Sequence, residues 1–115
     1  MISSRQFAAA LRQLPIPQGR QLNFLDFHEK ARARALTATM LRKEVGYRSY
    51  RAINLLYGKL AKQVGDKLVD EKLVVPHKGL ALLCEFFKPG EITNEHWVLV
   101  MRPEFAEGLK QAKWI

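Results

Sequence analysis

Residues 37–67 place the tightest constraint on what this chain can fold into. They spell two helices with room for only a short turn between them. Thr37 stands where an N-cap hydroxyl satisfies the first free backbone amides, ahead of a short helix over Ala38–Val45 with Leu41 and Val45 turned inward. Gly46 follows where a C-terminal glycine lets the chain turn left-handed. Ser49 then caps a second helix that runs from Tyr50 to about residue 67. Two helices joined by a three- or four-residue turn containing glycine form a helix-turn-helix pattern.

The flanks read differently on the two sides. Ser3 and Gln6 make a capping-box pattern, and Phe7, Ala10, Leu11 and Leu14 repeat at helical spacing, which predicts a helix over about 4–14. The PIPQG stretch at 15–19 ends it, and a second helix is expected over about 21–34, with Leu22, Leu25, Glu29 and Ala33 along one side. Beyond the paired helices the period changes. LALLCEFF (80–87) and HWVLVM (96–101) are rich in β-formers, and the link KPGEITNE carries turn residues, so a β-hairpin is expected over about 80–101. A short edge strand is expected at 73–75 before Pro76. Pro103, with acidic Glu104 and Glu107 early and Lys110 and Lys113 late, marks a final short helix. With 115 residues and no linker or repeat, the chain is read as a single domain.

Charge adds the functional direction. The formal net charge is +8, and it is concentrated: residues 30–67 carry ten basic residues against only Glu44 and Asp66, while the rest of the chain holds nine of each sign. A local block of this kind suits a polyanion-binding surface better than general solubility. The helix after Ser49 divides by angle at about 100° per residue. Ile53, Leu56, Tyr57, Leu60 and Val64 make a continuous apolar stripe for the core. Arg51, Leu55, Gly58 and Lys62 fall opposite, with Lys59 beside them and Asn54 on the flank; Arg48 falls in the turn. That division suits a helix lying in the major groove of duplex DNA, its N-terminal residues nearest the base edges. Arginine bonds both acceptors of guanine and asparagine does the same for adenine. Lys43, Lys59, Lys62 and Lys67 suit phosphates. The expected DNA-binding set is Arg48, Ser49, Arg51, Asn54, Leu55, Lys59 and Lys62, with Arg42, Lys43, Arg32 and Arg34 on flanking backbone and Lys88 at the hairpin tip. Glu91 and Glu95 oppose the last of these. Gly58 allows either close approach of the helix to a partner or tight internal packing.

Helices, a helix-turn-helix and a hairpin come in the order of a winged helix-turn-helix domain, which the chain resembles over roughly residues 37–101. The phrase LTATMLRKEVGYRSYRAINLLYGKLA is also similar to small winged-helix modules of bacterial and phage proteins, some attached to HNH-type nucleases of DNA defence systems; the chain carries no candidate HNH portion. The resemblance implies an α+β fold: two N-terminal helices, the helix-turn-helix, a C-terminal β-hairpin wing and a final short helix. It also implies duplex DNA binding, as a transcription regulator or as a reader module of a defence system.

Enzymatic readings find little support. His28 and His96 each sit beside a glutamate, but adjacent residues share no face, and neither pair has zinc-ligand spacing. No glycine-rich phosphate loop or nucleophile elbow occurs, so no enzyme activity and no cofactor or metal are expected. The lone Cys84, in an apolar run, reads as a buried inert thiol. Trp97, Phe86, Phe87, Phe105 and Trp114 read as core or its covering, and only Tyr47 and Tyr50 lie among arginines in the manner of a stacking platform. No window approaches the length of a membrane span, so a cytoplasmic protein without membrane contact is expected. The contrasting reading is a small phage or prophage inhibitor or adaptor whose basic face grips a host nucleoprotein complex. Trp114 and Ile115 offer a small apolar contact for a homodimer or, alternatively, tie the last helix down.

Overall fold

The computed structural model describes residues 1–87 and 97–115. Helix α1 (Ser4–Arg12) begins with the expected capping box: Ser3 Oγ accepts from the Gln6 amide and Gln6 Oε1 accepts from the Ser3 amide. It ends before Leu14, two residues short of expectation, as the chain heads into Pro15. Helix α2 (Arg20–Lys30) is shorter than the stretch to residue 34 that its composition suggested. The chain breaks into a 3₁₀ turn at Arg32–Arg34, where Ala33 and Arg34 both take positive φ, and Ala33 is exposed rather than inward.

That break delivers β1 (Ala35–Thr37), a strand not anticipated from the sequence. Helix α3 (Ala38–Val45) follows with its expected cap, Thr37 Oγ1 accepting from the Met40 amide at 3.1 Å. Gly46 sits at φ 81°, and the amides of Gly46 and Tyr47 both donate to Arg42 O, which closes the helix end. Three residues after Gly46, Ser49 Oγ accepts from the Arg51 amide and opens α4 (Tyr50–Asp70), which runs three residues past the expected end. The expected strand at 73–75 is not formed; those residues are irregular, and Val74 stands 87 % exposed. Residues 79–82 form a 3₁₀ turn, so the hairpin strands are shorter than expected: β2 (Cys84–Phe87) and β3 (Val98–Met101). Helix α5 (Pro103–Gln111) ends the fold.

The three strands make one antiparallel sheet of order β1-β3-β2, with Thr37 opposite Val98 and Cys84 opposite Met101. The fold is therefore α+β, five helices and a small sheet among the described residues, with a radius of gyration of 13.4 Å. That value matches about 13 Å for a compact chain of this length. No helix among the described residues is long and apolar enough to cross a membrane.

The stripe assigned to the core of α4 is buried: Ile53, Tyr57, Leu60 and Val64, joined by Ala61 and Leu68, with Leu56 half-buried. Phe24 of α2 meets the Tyr57 ring edge-on at 4.8 Å. Within the same core α1 lies on α5 with Phe7 edge-on to Phe105 at 5.6 Å. The two helices come so close at Gly108 that a Cβ there would lie 2.7 Å from Phe7 Cβ and 3.1 Å from Ser4 O. Trp114 is buried in this core, so the apolar contact it offered a homodimer is occupied within the chain. Phe86 and Phe87 depart from the expected core role: both are exposed on β2, where only Cys84 points fully inward.

A buried polar chain ties the layers together. Leu99 O of β3 can only accept, so His28 Nε2 donates to it at 2.8 Å, leaving Nδ1 to accept from the Tyr57 hydroxyl at 2.5 Å. Burial drives the His28 pKa down to about 4, pushes Cys84 up to about 12 and raises Tyr57, so all three are neutral near pH 7. Unlike an unpaired polar core group, a satisfied one of this kind fixes which face of α2 and α4 meets the sheet. On the surface, Glu29 of α2, which is mostly covered, pairs with Lys110 of α5 at 2.8 Å and holds the lysine pKa above its ordinary value.

Candidate nucleic-acid interface

The outward side of α4 presents Arg51, Leu55, Lys59 and Lys62, all exposed, with Gly58 between them and Asn54 half-buried on the flank. These positions recur at intervals of three and four, so they lie along one helix face. Lys62 bonds Asp66 at 3.2 Å, an exposed pair of the weak i, i+4 kind, and Asp66 is the acid that closes the C-terminal end of the stripe. Among the described residues Gly58 is not required by internal packing, because a Cβ built there meets none of them within 4 Å.

The turn before α4 is braced by side chains. Arg42 Nη1 donates to Tyr47 O at 3.1 Å, so this arginine holds the turn while remaining half-buried. Arg20 of α2 places its guanidinium 5.6 Å from the Tyr47 ring centroid, and Arg51 lies 6.0 Å from that of Tyr50, cation–π spacings that hold the cations beside the start of α4. Both tyrosines are half-buried against the core, which favours packing over base stacking. Arg48 and Ser49 are exposed in this turn, and Ser49 Oγ serves the helix cap. The site thus gathers Arg20, Arg48 and Arg51 at one end and Lys59 and Lys62 along the helix.

Arg20 was not among the residues picked from the sequence. It lies outside the basic block, and only the packing of α2 beside α3 brings it to the turn; its place at a helix start gave no signal. The other flanking residues separate. Lys43 is exposed on α3 and Arg32 is exposed on the 3₁₀ turn. Arg34 turns to the sheet, its Nε donating to Met101 O at 3.1 Å, and its charge is felt by Lys110 of α5. Lys88, with Glu91 and Glu95, lies outside the described residues.

Among the described residues no group of three His, Cys, Asp or Glu side chains is placed to hold a metal ion. His28 is fully buried in the polar chain, and His77 is exposed in the irregular segment. Compared with protein-family models, with curated proteins and with solved structures, the chain matches none.

Proposed function

We propose that this chain is a winged helix-turn-helix protein that binds duplex DNA, with α4 as the helix in the major groove, acting as a regulator or as a reader module. The observation that carries the reading is the outward face of α4. It gathers Arg51, Lys59 and Lys62 around an uncovered Gly58, with Arg48 and Arg20 at its N-terminal end. The topology supports the same reading. A strand placed between α2 and α3 pairs with β3, giving the order β1-β3-β2, while Arg51, Leu55, Lys59 and Lys62 of α4 are exposed.

The chemistry follows from position. Residues at the N-terminal part of a groove-bound helix reach base edges, so Arg51 is placed to meet a guanine, with Asn54 on the flank beside it. Lys59, Lys62 and Lys43 neutralise phosphates and displace counterions. Replacing Arg51 and Lys62 together by alanine removes two cations from the face without touching a buried side chain. The variant is expected to bind duplex more weakly and to lose about 1–2 from the slope of log K against log salt. Unchanged affinity and slope would take α4 out of the interface.

A further inference from the structure

The exposed side of α4 is polar or charged except at two places, Leu55 near its start and Val69 in its last turn, 60 % exposed and beyond the basic stripe. Leu55 is 74 % exposed, with Arg51 one turn before it and Gly58 and Lys59 one turn after. A solitary leucine on a surface means little by itself. Leu55 differs because it stands in the middle of the stripe offered to the duplex, where docking would strip water from it. The neighbouring glycine adds an independent observation. Among the described residues nothing comes within 4 Å of a Cβ built on Gly58, yet a glycine inside a helix costs about 1 kcal/mol relative to alanine. The helix therefore forgoes stability to keep its surface low beside the leucine, which lets the backbone approach a groove floor closely.

In the major groove nearly every group on the base edges is a hydrogen-bond donor or acceptor. The apolar exception is the C5-methyl of thymine, and the same group stands at the same position on 5-methylcytosine. We propose that Leu55 is a specificity-determining residue that reads a pyrimidine C5-methyl group, with Gly58 allowing the approach. This assignment rests on the DNA-binding reading of the same face. The polar neighbours complete the recognition: Arg51 addresses an adjacent base or phosphate, while Lys59 holds the backbone.

The test uses the full chain and duplexes enriched by it from a random pool. The enriched duplex is prepared with thymine, with uracil in place of thymine, and with 5-methylcytosine or cytosine at the sensitive position. Wild type is expected to lose about fourfold in affinity for each contacted methyl removed, whereas Leu55→Ala binds the thymine and uracil forms alike. A gain on 5-methylcytosine over cytosine equal to that on thymine over uracil means that the methyl group alone is read. A gain confined to one of the two pyrimidines names that base as the source. Methyl removal that leaves wild type unaffected, or that weakens Leu55→Ala equally, overturns the assignment. So does a selection that enriches no sequence although duplex is bound. Failure to bind any duplex instead overturns the DNA-binding reading, and this assignment with it.

Discussion

Two glycines in helices, Gly58 and Gly108, should respond to the same substitution with opposite signs. At Gly108 of α5 an added Cβ would stand 2.7 Å from Phe7 Cβ, 3.1 Å from Ser4 O and 3.2 Å from Ala8 N. Comfortable carbon contacts begin near 3.5 Å, and two of these three atoms are α1 backbone, so no side-chain rotation relieves the clash. Helix α1 must move off α5. That movement strains the Phe7–Phe105 edge contact and the bond from Arg12 Nη2 to Gln111 O, now 2.9 Å. Overpacking costs about 1–3 kcal/mol and a weakened aromatic pair about 0.5–1.5 more, against about 1 kcal/mol regained in helix propensity. Gly108→Ala should therefore lose about 0.5–3.5 kcal/mol, or about 2–14 °C in Tm at this chain length. At Gly58 the added methyl meets none of the described residues within 4 Å, so Gly58→Ala should gain about 0.5–1 kcal/mol. Urea unfolding followed by far-ultraviolet circular dichroism, at unchanged m, reads both effects as midpoint shifts. Equal stabilisation by the two alanines would refute the close seating of α1 on α5. Gly58→Ala should also bind duplex more weakly despite its higher stability.

The buried polar chain gives further predictions. His28 titrates near 4 when folded against 6.5 when unfolded, so between those values the unfolded chain holds more protons. Stability should accordingly be flat above about pH 6.5 and fall by roughly 3 kcal/mol as the pH drops to about 4; urea midpoints across this range check it, and His28→Gln should remove that share of the slope. Tyr57→Phe keeps the ring against Phe24 but removes the hydroxyl donor to His28 Nδ1, leaving a buried acceptor unpaired. It should cost about 1–3 kcal/mol, measured by the same unfolding curves. Ser49→Ala removes the hydroxyl that accepts from the Arg51 amide and should cost about 1 kcal/mol.

What was legible in the sequence and what was not follows from the range of the forces involved. Ser3, Thr37, Gly46 and Ser49 act on amides or carbonyls within a few residues, so their caps and turn stand where the sequence put them. The two faces of α4 were equally readable, because helical period alone separates Ile53 and Tyr57 from Arg51 and Leu55. Strand β1 was not readable: three residues carry little pattern, and its partner Val98–Met101 lies some sixty positions away. Residues 73–75 have strand composition without a strand, because propensity requires a neighbouring edge with which to pair. The sequence showed His28 only as a histidine beside Glu29 without zinc-ligand spacing, and the packing of α2 against α4 and β3 shows its partners. At the candidate interface the outer α4 residues were found by angle, whereas the link between Arg20 and Tyr47, the bond from Arg34 to Met101 and the brace from Arg42 to Tyr47 all needed three dimensions.

The most direct test of the central claim is a salt titration of duplex binding by the 115-residue chain, followed by fluorescence anisotropy of a labelled duplex. A basic face that displaces counterions through several phosphate contacts predicts binding at low salt and a linear fall of log K with log salt, with a slope of about −0.9 for each phosphate neutralised. Absence of duplex binding at low salt, or an affinity that does not change with salt, would contradict it.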